Sequence, residues 1–100
     1  MAGRSVAPMQ TISANTATTT TEEINMYGKA SGMVYIPTGS SITTITWWVE
    51  LDGNYYEAQD VDPQTVAADE CFQIPTGLYG AYNLYPVTNA SGTIYVTTIS

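Results

Sequence analysis

The sequence predicts an all-β fold: an antiparallel β-sandwich, jelly-roll-like or immunoglobulin-like, with an extended N-terminal arm. Seven or eight short runs rich in Val, Ile, Thr, Tyr and Trp alternate with turn residues along the chain, a spacing that is typical of sandwiches. Its 100 residues are enough for one such domain. The clearest local signal is Asp52-Gly53, because Asp-Gly between two alternating runs predicts a two-residue hairpin turn.

A hairpin is predicted over residues 42–60, and its two-residue turn sets the register. Leu51 should pair with Asn54, and Trp48 with Glu57. Successive side chains of a strand point to opposite faces, so this register divides the hairpin into a core face and a solvent face. The predicted core face carries Ile45, Trp47, Val49, Leu51, Tyr56 and Ala58. The predicted solvent face carries Thr44, Thr46, Trp48, Glu50, Tyr55, Glu57 and Gln59.

Residues 1–21 are predicted to form the extended arm, and residues 22–100 the sandwich domain. The large apolar residues of the arm are Val6, Met9 and Ile12. They offer too little area to stabilise a core, so we expect them to bind a partner. The polar run at residues 16–21, TATTTT, is either a solvated edge strand or a strand donated to a neighbouring subunit.

Two further strands are predicted before the hairpin, at residues 22–27 and 32–36. Their predicted core residues are Ile24, Met26, Val34 and Ile36. Residues 60–70 contain the only candidate helix, since Asp62 could cap it and Pro63 suits its first position. A single turn is an equally good interpretation of this segment.

Three strands are predicted near the C-terminus, at residues 71–74, 79–87 and 92–99. Pro86 confines the second of them to a sheet edge or a bulge, because proline cannot donate a ladder hydrogen bond. Residues 30–38, ASGMVYIPT, resemble residues 90–98, ASGTIYVTT. Two copies indicate two strands in similar surroundings, not a solenoid.

The charge balance excludes several classes of partner. The net charge is −7, and the only bases are Arg4 and Lys29, too few to bind nucleic acid or an anionic membrane surface. Charged residues make up only 11% of the chain, against about 25% in typical soluble domains. A surface of hydroxyls and amides suits a protein inside an assembly, or an extracellular adhesive module. No stretch resembles a signal peptide or a membrane span, so synthesis in a cytoplasm is expected.

Catalysis, a metal and a cofactor are not expected. The chain has no histidine, which removes the commonest general base and zinc ligand. Glu50 and Glu57 share the solvent face of the hairpin as a glycosidase pair would, but we expect solvated surface carboxylates. The segment Asp60-Val61-Asp62 offers oxygen ligands for calcium without the rest of a calcium loop.

Two other residues have a simple structural interpretation. Cys71, the sole cysteine, is predicted to be a small core residue. The segment Asn89-Ala90-Ser91 fits the glycosylation acceptor pattern, yet a turn is the better interpretation.

Trp48 and Tyr55 are the unexpected residues of the solvent face, and three interpretations remain open. A loop or the arm of the same chain could cover them, or they could anchor a partner protein. They could also stack on a sugar together with Tyr56, as in a carbohydrate-binding module.

The opening Met-Ala-Gly, the polar arm SANTATTTTEE and the β-rich ending SGTIYVTTIS make the chain resemble small accessory virion proteins of tailed bacteriophages. Capsid decoration or cement proteins are the closest group. The resemblance implies a β-rich fold without catalysis that binds the major capsid protein at capsomer junctions, often as a homo-oligomer. It implies a location in the virion, after synthesis in the host cytoplasm. A tail-fibre or head-completion subunit is a further alternative.

Overall fold

The computed structural model of the chain describes residues 9–81 and 83–99. The described residues form eight strands: β1 Gln10–Ala14, β2 Ser31–Ile36, β3 Thr44–Leu51, β4 Asn54–Glu57, β5 Gln64–Thr65, β6 Glu70–Gln73, β7 Leu84–Thr88 and β8 Gly92–Ile99. A single 3-10 turn at Thr76–Leu78 precedes β7. In this part of the chain, no helix has the length and apolarity needed to cross a membrane.

The strands form two antiparallel sheets. The first sheet has the order β1-β8-β2-β6. The second is centred on β3, with β7 along one edge and β4 followed by β5 along the other. One apolar core lies between the sheets, which confirms the predicted antiparallel β-sandwich.

The core contains side chains from both sheets and from the connecting segments. Its members are Ile12, Ala14, Ile24, Met26, Val34, Ile36, Ile42, Ile45, Trp47, Val66, Ile74, Leu78, Leu84, Ile94 and Val96. Trp47 is 1% exposed, and its indole Nε1 donates to Gln64 Oε1 at 2.8 Å. Burial of this large ring therefore leaves no unpaired donor.

The hairpin has the predicted register, with Leu51 opposite Asn54 and Trp48 opposite Glu57. Both turn residues have positive φ, 54° at Asp52 and 82° at Gly53, which is the geometry of a type I′ turn. Trp47 is buried and Trp48 lies on the opposite face, as the alternation predicts.

The predicted core face is wrong at the tip of the hairpin. Leu51 is 59% exposed and Tyr56 50% exposed, and every residue of β4 is exposed. Alternation tells which side of a strand a residue occupies, but the hairpin extends beyond the area that the first sheet covers.

The predicted arm also needs correction. Gln10–Ala14 is β1, which pairs with β8, and Ile12 and Ala14 are buried in the core. Without β1, one edge of β8 would be unpaired. By pairing with that edge, even a short alternating segment gains ladder hydrogen bonds and burial. Residues 16–21 form turns rather than a solvated or donated strand.

Other local predictions succeed in part. Ile24 and Met26 are fully buried, but their segment makes only an isolated bridge, Ile24 to Leu84, instead of a strand. Residues 60–70 contain no helix, because Gln64–Thr65 pairs with β3. The predicted strand at residues 79–87 begins only at Leu84.

The two similar segments lie side by side as β2 and β8, the central strands of the first sheet. Val34 is opposite Val96, and both side chains are fully buried. The similarity therefore reflects two strands with the same surroundings, as predicted.

Candidate functional site

The outer face of the second sheet carries a cluster of three rings, which we call the aromatic face: Trp48 from β3, Tyr55 from β4 and Tyr85 from β7. Trp48 lies between the neighbouring strands, opposite Glu57 on one side and Tyr85 on the other. The rings of Tyr55 and Tyr85 meet edge to face, with centroids 5.3 Å apart and an interplanar angle of 71°. Such pairs add about 0.5–1.5 kcal/mol to the effect of burial.

Glu50 lies on the same outer face of β3 as Trp48. Its carboxylate accepts hydrogen bonds from the backbone N–H of Gly53 and from Asn83 Nδ2, the latter at 2.6 Å. It thereby joins the hairpin turn to the segment before β7. Glu50 is half-buried and structurally engaged, whereas Glu57 is exposed, so only Glu57 matches the expected solvated carboxylate.

The environment of Tyr85 stabilises its neutral form. Burial, followed by the Glu23 carboxylate, contact and hydrogen bonding with Tyr55, and the Glu50 carboxylate, raises the pKa of Tyr85 above its ordinary value of 10.0. At neutral pH the aromatic face therefore presents a phenol that donates and accepts hydrogen bonds, surrounded by negative charge.

An open cleft of about 530 Å³ adjoins the aromatic face. Its lining residues are Gln10, Thr11, Ile12, Thr21, Glu22, Glu23 and Tyr85. Glu22 Oε1 accepts the backbone N–H of Ser13 at 2.6 Å, which fixes one wall. Glu22 and Glu23 make the cleft acidic. Ile12, the apolar residue of the lining, is only 4% exposed and contributes almost no accessible surface.

The structure places the predicted partner-binding residues in different surroundings. Trp48 and Tyr55 do share one outer face. Met9 is 60% exposed but lies before β1, and Val6 lies outside the described residues. Ile12 is wrong as an accessible binding residue, because its side chain belongs to the core.

Sequence reasoning missed Tyr85. The alternation of β7 does place Tyr85 on the other face of the strand from the buried Leu84 and Pro86. The pattern therefore indicates that the Tyr85 side chain points outward. Its position beside Trp48 was not, because that depends on β7 pairing with β3.

The predicted sugar-stacking set cannot form one surface. Tyr56 lies on the opposite face of β4 from Tyr55, since successive side chains of a strand alternate. Trp48 and Tyr55 would have Tyr85 as their third ring.

The remaining candidates are structural or isolated. The Asn89 side chain accepts from the backbone N–H of Thr43 and Thr44 and donates to Thr43 Oγ1, as expected for a turn residue. Cys71 is exposed, so the core prediction for it is wrong: it lies on the solvent side of β6. Residues 9–81 and 83–99 contain no group of three or more His, Cys, Asp or Glu side chains placed to hold a metal ion.

Fold and site together define an antiparallel β-sandwich with an aromatic outer face and an adjoining acidic cleft. Comparison of the chain with protein-family models, with curated proteins and with solved structures finds no match.

Proposed function

We propose that the chain is a non-catalytic structural protein that binds other proteins through the aromatic face. The observation that carries the proposal is the convergence of Trp48, Tyr55 and Tyr85 from three strands on the outer side of the second sheet. Trp and Tyr are the residues that most often anchor protein interfaces. Two ladders of backbone hydrogen bonds, β3–β4 and β3–β7, hold the strands that carry these rings before binding, so little conformational entropy is lost when a partner arrives.

In its more specific form, the proposal is a virion protein that decorates and stabilises a capsid. Its partners are the major capsid protein and neighbouring copies of itself. The low content of charged residues and the net charge of −7 support a role inside an assembly, and so does the resemblance to decoration proteins. The acidic cleft beside the rings favours a partner surface that supplies positive charge.

A carbohydrate-binding module is the second candidate, because partly exposed rings beside carboxylates also suit a sugar. The ring geometry favours the first candidate. Tyr55 and Tyr85 meet at 71°, so they do not form the flat platform that stacks on a sugar ring.

The test uses virions from which the native protein has been released. Wild-type protein and Trp48→Ala are added back, and bound copies per particle are counted by quantitative mass spectrometry. We expect Trp48→Ala to bind at least about thirtyfold more weakly, since truncating an interface anchor to alanine typically costs about 2 kcal/mol or more.

Thr46→Ala is the matched control, because Thr46 lies on the same face of β3 two residues away and is also half-buried. It should bind like the wild type. Full binding by Trp48→Ala would contradict the proposal for this face. Binding of free oligosaccharides that Trp48→Ala abolishes would favour the carbohydrate alternative.

A further inference from the structure

We propose that the outer edge of β4 binds an extended strand of the partner, with basic and apolar residues in alternation. The inference rests on the proposed function, because it names the chemistry and the binding mode of a protein partner. It concerns the backbone edge of β4, which is a different surface from the rings of the aromatic face.

The edges on the opposite side of the sandwich are partly covered by the chain's own residues. On β1, Ser13 O accepts the backbone N–H of Glu22 at 2.9 Å. On β7, Leu84 exchanges hydrogen bonds with Ile24 at 2.7 and 3.0 Å, and the N–H of Thr88 donates to Asn15 O at 2.9 Å. Covered edges of this kind prevent pairing with other chains.

Pro86 removes the remaining donor from the outer edge of β7. Glu50 N–H donates to Asn83 O, and Asn89 N–H donates to Thr44 O, so the odd-numbered residues of this segment face β3. The even-numbered Pro86 therefore faces the outside, where its missing N–H costs no ladder bond.

Strand β4 has no comparable cover among the described residues. Ala58 N–H donates to Trp47 O at 2.9 Å, so the alternate position Tyr56 also faces β3. Tyr55 and Glu57 consequently direct their backbone N–H and C=O groups away from the sheet. The one contact to these groups is a long bond, 3.4 Å, from Gln59 Nε2 to Glu57 O.

This edge matches the requirements of strand addition, in which main-chain hydrogen bonds supply affinity and alternate side chains supply specificity. An antiparallel partner strand would form hydrogen-bonded pairs with Tyr55 and Glu57. The partner's side chains at those positions would lie on the outer face, beside Glu57 and one strand from Glu50. Because the hairpin carries acids and no base, basic side chains complement that face, and a second acidic copy of β4 does not.

The partner's intervening side chain would lie on the inner face of β4, opposite Tyr56. There, Tyr56 and Leu51 are the apolar residues that the first sheet leaves exposed. Exposed apolar patches often mark interaction sites, and an apolar partner residue would cover this one. The preferred partner pattern is therefore basic-apolar-basic.

The test uses full-length protein labelled with ¹⁵N and the peptide acetyl-Lys-Val-Lys-Val-Lys-amide. Binding should slow the hydrogen exchange of the Tyr55 and Glu57 amides and shift their resonances. The Tyr56 amide, which already donates to β3, should change its exchange rate little. The control peptide Glu-Val-Glu-Val-Glu should not bind.

Methylation of peptide nitrogens separates strand pairing from general charge attraction. A methyl group on the backbone nitrogen of the central lysine removes an N–H that would donate a hydrogen bond to β4. This change should weaken binding about tenfold. When the lysines pair with Tyr55 and Glu57, the backbone nitrogens of both valines point to solvent. Methyl groups on those two nitrogens should therefore leave the affinity unchanged.

Three results would overturn the inference. They are equal effects of the two methylation patterns, binding of the acidic peptide as tight as that of the basic one, and protection of Tyr55 and Glu57 by self-association without peptide. None of them would affect the Trp48 comparison on virions, which tests the ring surface. Conversely, peptide pairing at β4 with full virion binding by Trp48→Ala would retain the edge site and reject the aromatic face.

Discussion

Thr98 shows how much one buried hydroxyl can matter in this small core. It is fully buried on β8 opposite Gly32, and its Oγ1 has no hydrogen-bond partner among the described residues. A buried hydroxyl without a partner loses its hydration and gains nothing in exchange. Thr88 is also buried, but its Oγ1 donates to Ala90 O at 2.7 Å.

We therefore expect Thr98→Val to stabilise the fold by about 1–2 kcal/mol, since valine has nearly the same shape without the polar atom. The free energy of unfolding from urea titrations measures this. Thr88→Val is the matched control and should destabilise by about 1 kcal/mol, because it removes a formed hydrogen bond. A loss of stability in Thr98→Val would mean that the hydroxyl has a partner in solution.

Tyr85 makes stability sensitive to alkaline pH. Burial and the carboxylates of Glu23 and Glu50 raise its pKa in the folded state above the unfolded value of 10.0. Below about pH 10 the phenol is protonated in both states, so its contribution to stability is fully present. As the pH rises further, the unfolded chain releases the proton first, and that contribution is lost.

The melting temperature should thus fall as the pH rises above about 10, and that of Tyr85→Phe should fall less steeply, because phenylalanine has no proton to release. Differential scanning calorimetry over this range measures both slopes. Identical slopes for Tyr85→Phe and the wild type would contradict the assignment.

Strand β1 illustrates how an element acquires its role from its neighbours. Its sequence is short and weakly alternating, yet pairing with β8 places Ile12 and Ala14 in the core. The hairpin β3–β4 shows the reverse. Its pattern is the strongest in the chain, but its tip leaves Leu51 and Tyr56 exposed, since no opposing element reaches it.

Ile12→Ala tests whether β1 belongs to the sandwich. Removing most of a buried side chain should cost about 2–4 kcal/mol of stability. Thr11→Ala, at the exposed neighbouring position of the same strand, should change stability by less than about 0.5 kcal/mol. Urea unfolding measures both. Equal, small effects would mean that β1 is dispensable for the fold.

The topology of the sandwich predicts slow folding. The first sheet joins β1 to β8, so strands near opposite ends of the described chain must meet before the core can close. Such non-local antiparallel sheets fold in about 1 ms to about 1 s, because loop closure costs entropy before contacts repay it.

Stopped-flow refolding monitored by Trp47 fluorescence, in a Trp48→Phe background, should show a main phase in that range. The buried indole reports closure of the core directly. The Ile12→Ala variant should unfold faster if β1 docks after the folding transition state, and fold more slowly if it docks before. Folding of the wild type within microseconds would contradict the topology.

The features predicted correctly from the sequence are those set by neighbouring residues. Asp52-Gly53 determines a two-residue turn, the turn determines the register, and alternation then separates Trp47 from Trp48. The same rule places Ile94, Val96 and Thr98 on one side of β8. These are local consequences of backbone geometry, and the sandwich class follows from their repetition along the chain.

The features that the sequence did not predict depend on pairing between strands that are far apart in the chain. The capture of Ile12 by β8, the approach of Tyr85 to Trp48 across β3, and the exposure of Cys71 on β6 all depend on which strands become neighbours. Partners in an antiparallel sheet can come from any part of the chain, and many pairings satisfy the same alternation. Packing of the two sheets selects one of them, and that choice creates both the aromatic face and the free edge of β4.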